Sequence, residues 1–281
     1  MAALRSWLFS PVAAGRVAVF RTLAYSFIFI DVLLTTSWVA QHGWVPTELY
    51  QPLFIARLLQ LPTPTPVLVT VVEAGLLLSA LLALHPRWTR PAGIAVFILY
   101  LEWMFIAMSY GKVDHDRVAF LVALAVLPTV RAARWGEQRA SEDAGWAIRC
   151  IQIAVVLTYF LATFAKLRFG GLEWVNGATL MRAVLRRGTV LVDPLTVENP
   201  WILHAYQYFI VAFELASPLM LLQNAVGRFY VKLAFAFHAL TYASITIIFL
   251  PHVVCLLTFL PLERVKAPSW VSRPIRRFQR A

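Results

Sequence analysis

Long apolar runs, separated by short stretches bearing proline, arginine or aromatic residues, recur along almost the whole chain. A helix of about twenty apolar residues crosses the hydrocarbon core of a bilayer. The pattern predicts spans near Val17–Ala40, Pro66–Leu84, Pro91–Tyr110, Val118–Val130, Trp146–Phe164, Trp201–Leu222 and Leu233–Leu250. A shorter apolar piece, Val253–Leu262, follows Pro251 and reads as a half-helix, a re-entrant segment or the end of a broken helix. The Val118–Val130 run is short, so its helix is expected to begin earlier, around Asp114. The first run is longer than the apolar core of a cleavable signal and is expected to remain as a membrane helix.

Proline supports these breaks. Pro62, Pro64 and Pro66 mark an extended approach to the second span, and Pro91 suits the first turn of the third. The expected architecture is all-α: a polytopic membrane bundle of about seven to eight transmembrane helices plus an interfacial helix. It forms a single integral membrane domain over residues 1–281, with a basic tail at 263–281.

Composition sharpens that picture. Sixty percent of the 281 residues are hydrophobic and 14% charged, with a mean hydropathy of +0.71, which excludes an ordinary soluble domain. The net charge of +11 does not point to nucleic acid, because the basic residues flank apolar runs as in cytoplasmic membrane loops. Placing the N-terminus inside puts Arg87 and Arg90, the cluster Arg131, Arg134 and Arg139, the pair Arg228 and Lys232, and the basic C-terminal tail in the cytoplasm. Arg168, Arg182, Arg186 and Arg187 then fall outside, and the region from Leu172 to Arg187 reads as an interfacial helix. Cys150 and Cys255 show no CxxC spacing, so neither a disulfide framework nor structural zinc is expected.

Lys166 is the most informative residue. It ends an apolar span in "TYFLATFAKLRFGGLEWVNG", where lost hydration disfavours the charged amine and makes it a candidate base. The competing reading is snorkelling of the ammonium to the headgroups. His115, flanked by Asp114 and Asp116, and His238, in mid-span, are candidate partners that converge with Lys166 if the fourth, fifth and seventh spans pack together. Asp114 is also a natural cap for the helix that follows it. Asp31, Glu73, Glu102 and Glu214 lie inside apolar helices and require partners, for one of which Arg21 is suited. His42, His85, His204 and His252 read as interfacial. No HExxH, phosphate-loop, GxGxxG or GxSxG pattern occurs, and no metal is expected.

Taken in order, "VFRTLAYSFIFIDVL", "KVDHDRVAFLVALAVLP", "TYFLATFAKLRFGGLEWVNG", "FELASPLMLL" and "FAFHALTYASITIIFLPHVV" resemble segments of the vitamin K-dependent gamma-carboxylase family and its bacterial horizontally transferred transmembrane domain relatives. The likeness runs from about Val19 to Pro261 and places Lys166 on the family's catalytic lysine, and His115 and His238 on family histidines. It implies a reduced naphthoquinone as cofactor, with oxygen converting it to a strong base and carbon dioxide adding to a glutamate carbanion. Such chemistry demands a dry pocket. The sequence departs from the family pattern at Asp114 and Thr241, where the family carries Asn, and in the stretch after Lys166, which lacks an Asp-rich pattern. The likeness stops near Pro261, so a short bacterial-type member without the large lumenal substrate-binding domain of the animal carboxylases is expected.

Two readings follow: a quinol-dependent oxygenase or carboxylase-like enzyme using Lys166, or a non-enzymatic membrane factor for peptide export or maturation. The implied partners are the bilayer and a peptide, protein substrate or separately encoded protein. A transporter ranks last, because no internal repeat is visible.

Overall fold

The computed structural model describes residues 2–111, 113–192 and 198–266. The tail from 267 to 281, expected to be cytoplasmic, lies outside the described residues. Helices account for nearly all regular structure, as the apolar patterning requires. In chain order they are α1 (Ala2–Leu8), α2 (Ala14–Ile30), α3 (Phe54–Leu58), α4 (Pro66–Ala83), α5 (Thr89–Met108), α6 (Val118–Val126), α7 (Glu142–Gly170), α8 (Ala178–Arg187), α9 (Trp201–Leu215), α10 (Ala225–Ile245) and α11 (Leu250–Leu256).

Among the described residues, four helical segments are long and apolar enough to cross a membrane: Ala14–Thr35, Pro66–Ala83, Thr89–Met108 and Glu142–Gly170. The remaining apolar runs are shorter or interrupted. The Val118–Val130 run forms α6, preceded by a 3-10 turn at His115–Arg117 and followed by another at Leu127–Thr129. Pro128 lies in that second turn, and its missing N–H breaks the α-helical ladder. Pro218 does the same after α9, where a 3-10 segment covers Ser217–Leu221.

Other boundaries differ from the hydropathy reading because polar side chains set them. Asn224 accepts from the Gly227 amide at 3.1 Å and starts α10 at Ala225, eight residues before Leu233. Thr246 takes a left-handed conformation (φ 53°) and ends α10 at Ile245. The chain restarts as α11, with Pro251 in its first turn. Leu250–Phe259 is only a short apolar helix. Ser141 caps α7 through the Ala144 amide at 3.2 Å, and Thr65 caps α4 through Leu68 at 3.2 Å. Asp114 makes no side-chain cap to the turn that it precedes.

Helix α7 is the hub, packing on α1, α2, α6, α9 and α11, while α4 and α5 form a neighbouring antiparallel pair. Two-residue strands β1 (Val12–Ala13) and β2 (Ala140–Ser141) pair antiparallel and tie the starts of α2 and α7 together. Helix α8 is amphipathic: Leu180 and Val184 are buried against α9 and α10, and Arg182, Arg186 and Arg187 are exposed. Gly177 precedes it at φ 86°, where an added Cβ would lie 2.6 Å from the His204 ring.

Candidate functional site

Tyr159, Thr163 and Lys166 are spaced four and three residues apart, which puts them on one face of α7. Lys166 Nζ lies 2.5 Å from both carboxylate oxygens of Glu214 on α9, and Thr163 donates to Glu214 Oε2 at 2.5 Å. The Glu214 side chain is 7% exposed and that of Lys166 is 22% exposed. The ammonium also sits 5.2 Å from the centre of the Trp174 ring, a cation–π contact. Lys166 is in the last turns of α7, where the helix dipole favours a cation. A carboxylate, rather than desolvation alone or an imidazole, is therefore the group that governs this amine. Sequence reading called for a partner for Glu214 but did not connect it to Lys166, because their 48-residue separation carries no local signal.

Two turns before Lys166, roughly 10 Å along the helix axis, Tyr159 Oη meets His238 Nε2 at 2.6 Å. His252 on α11 completes the group: its ring centre is 4.6 Å from that of Tyr159 and 5.4 Å from that of His238. It was expected at the interface, yet it is 2% exposed, because the break before α11 turns its first residues inward against α7 and α10. Both His252 nitrogens and His238 Nδ1 lack a hydrogen-bond partner among the described residues. Phe213 packs edge-on against Tyr159 and adjoins Glu214 in sequence, so the two halves share one wall.

Lys166, on α7, and His238, which reaches Tyr159 of α7 from α10, thus belong to one polar strip. His115 makes no hydrogen bond to it among the described residues, although it lies near enough to His252 to act on it electrostatically. Its ring is exposed in the turn before α6, and that turn packs against α11 and α7.

A second polar cluster lies elsewhere in the bundle. Asp31 is fully buried, with Arg117 Nη1 at 2.6 Å and Tyr100 Oη at 2.8 Å, and it also accepts from Thr35. The backbone widens there into a π-helical turn, Asp31–Thr35, and Trp103 donates to Thr36 at 3.0 Å. Arg21, considered as a carboxylate partner, instead donates to the Leu127 and Val130 carbonyls at 3.2 and 3.1 Å, where the turn at Pro128 frees them. Arg117 carries no local signal of this role, since Asp116 stands beside it as a nearer carboxylate and Asp31 is 86 residues away. Glu73 and Glu102 are half-buried.

Among the described residues no three His, Cys, Asp or Glu side chains are grouped to hold a metal ion. Comparison with protein-family models, curated proteins and solved structures gave no match. The fold and site define an all-α protein with helices able to cross a membrane and a buried acid–base strip along its central helix.

Proposed function

We propose that this chain is a multi-pass membrane protein of about seven to eight spans whose α7 strip performs acid–base chemistry on a reduced naphthoquinone-type cofactor, Lys166 being the base. The observation that carries this reading is the 2.5 Å contact of Lys166 with Glu214, itself bound by Thr163. A proton shared by an amine and a carboxylate can move between them with little change in net charge, so a neutral amine becomes accessible without a bare charge in an apolar surrounding. Tyr159 and His238 supply a second exchangeable proton pair farther along the same face. Oxygen and carbon dioxide are the co-reactants that the sequence resemblance implies, and a peptide or protein is the acceptor. The N-terminus and the basic tail face the cytoplasm in this reading.

The test is purified protein in lipid given reduced naphthoquinone, oxygen and labelled bicarbonate. Quinone epoxide is expected to form, to vanish in Lys166→Ala and to survive in Leu167→Ala. Undiminished epoxide in Lys166→Ala removes the assignment. Epoxide without fixed label identifies an oxygenase rather than a carboxylase.

One observation favours the second reading, a non-enzymatic membrane factor: each of the three side chains Lys166, Glu214 and Thr163 already has a partner within the cluster, as in a structural tie between α7 and α9. That reading predicts no turnover, co-purification with a partner and retained export or maturation in Lys166→Met/Glu214→Gln.

A further inference from the structure

A cavity of about 190 Å³ opens between α8, α9 and α10, away from the Lys166 strip, lined by Leu180, Val184, Ile202, Tyr206, Thr241 and Ser244 among others. It is larger than the roughly 150 Å³ apolar cavity known to take benzene, and almost all of its wall is hydrocarbon. Its polar feature is specific. The Tyr206 hydroxyl is buried with no partner in full hydrogen-bond geometry among the described residues; its polar neighbour is the Thr241 hydroxyl, which donates to the Phe237 carbonyl at 2.8 Å and meets Tyr206 only loosely. A hydroxyl held so loosely in such a wall has room for a better acceptor oxygen.

The surroundings say what kind of molecule brings that oxygen. Arg187 lies seven residues after Leu180, on the same face of α8 and beyond the cavity end, with Arg186 beside it; both are exposed. Leu185, Val190 and Leu191 are exposed at 67%, 90% and 61%. Arginine next to bare aliphatic side chains on an amphipathic helix is the pattern of a segment seated at the headgroup boundary. A guanidinium pair there favours phosphate, while the cavity behind it favours a chain.

We propose that the α8–α9–α10 cavity binds one acyl chain of an anionic phospholipid, Tyr206 donating to its ester carbonyl and Arg186 and Arg187 meeting its phosphate. The lipid is held at a built site, and it fastens the amphipathic helix to the bundle. This inference does not depend on any reaction at Lys166.

The test uses the purified full chain in a neutral detergent, titrated with phosphatidylglycerol bearing a fluorophore on one acyl chain, and read by anisotropy and by native mass spectrometry. One lipid per chain is expected, with phosphatidylcholine and inorganic phosphate failing to displace it at tenfold excess. Arg186→Gln/Arg187→Gln is expected to weaken binding roughly tenfold or more, and Ser244→Phe, which fills the cavity, to abolish the one-to-one peak. Tyr206→Phe is expected to weaken binding severalfold while leaving the circular dichroism unchanged. Arg57→Gln, on α3 and outside the cavity lining, is expected to bind as the parent does. Equal binding of phosphatidylcholine overturns the charge assignment. Displacement by a naphthoquinone makes the cavity a quinone site and overturns the lipid. Loss in the arginine variant with full binding in Ser244→Phe, checked for native helicity, puts the lipid on the outer surface and overturns the cavity.

Discussion

Removing either member of the Lys166–Glu214 pair should destabilise the protein, and the two removals should not cost the same. Unit charges about 3 Å apart attract by roughly 5 kcal/mol at an effective dielectric of 20, most of which offsets desolvation. What a single substitution exposes is the group left behind. Lys166→Met leaves Glu214, 7% exposed and still held by Thr163, in an apolar wall without its counter-charge. Its carboxylate must take a proton or stay unpaired, at about 2–4 kcal/mol, and the contact with Trp174 is lost as well, at about 0.5–1 kcal/mol. Glu214→Gln keeps an acceptor for Thr163 and leaves an ammonium that is 22% exposed on a flexible stem. That ammonium can swing to water, so the cost should be nearer 1–2 kcal/mol. The double variant Lys166→Met/Glu214→Gln should be less destabilised than the sum by roughly 1–3 kcal/mol. Reversible unfolding in mixed micelles at neutral pH measures all four corners of the cycle. A coupling below about 0.5 kcal/mol, or a Glu214→Gln variant less stable than Lys166→Met, refutes the reasoning.

Asp31→Asn strands the Arg117 guanidinium inside the bundle and should cost about 3–5 kcal/mol, read as a lowered unfolding midpoint. Gly177→Ala forces a side chain into a positive-φ site 2.6 Å from His204; a loss of about 1–3 kcal/mol is expected, with protease cleavage near α8 accelerated. In the exposed loop before α7, the Arg134 amide and the Arg139 guanidinium hold the Glu137 carboxyl below the ordinary carboxylate range. A folded-state value below the unfolded one means this loop contact is present above the ordinary range and is lost as pH falls through the lowered value. The Glu137 carboxyl carbon resonance should therefore titrate with a midpoint below 4.5, and a midpoint at or above that value contradicts the contact.

Much of the bundle was legible from patterning. The second and third spans, read at Pro66–Leu84 and Pro91–Tyr110, appear as α4 and α5 within a few residues, because uninterrupted apolar runs with proline in the first turn leave the backbone little alternative to helix. The stretch Leu172–Arg187, read as one helix, divides into a 3-10 turn at Leu172–Val175 and the amphipathic α8 at Ala178–Arg187. Less was legible where the chain bends. Hydropathy carried one helix through Leu250, but a left-handed Thr246 divides it, and that division is what buries His252. Of the site residues, Lys166 and His238 stood out by being polar within apolar runs. Thr163 and Tyr159 did not, since a lone Thr or Tyr in such a run has many bland explanations.

Local patterning by itself determined that this chain is helical, apolar enough to enter a bilayer, and burdened with a few charges that need partners. Periodicity and hydropathy depend on neighbours in the chain, so they report which residues must be shielded. Only the tertiary structure decided the pairings: Lys166 with Glu214, Asp31 with Arg117, Tyr159 with His238. Each joins residues 48 to 86 positions apart. A charge inside an apolar helix specifies that it requires a counter-charge, whereas which one it meets depends on how the helices cross and on which faces are brought within about 3 Å.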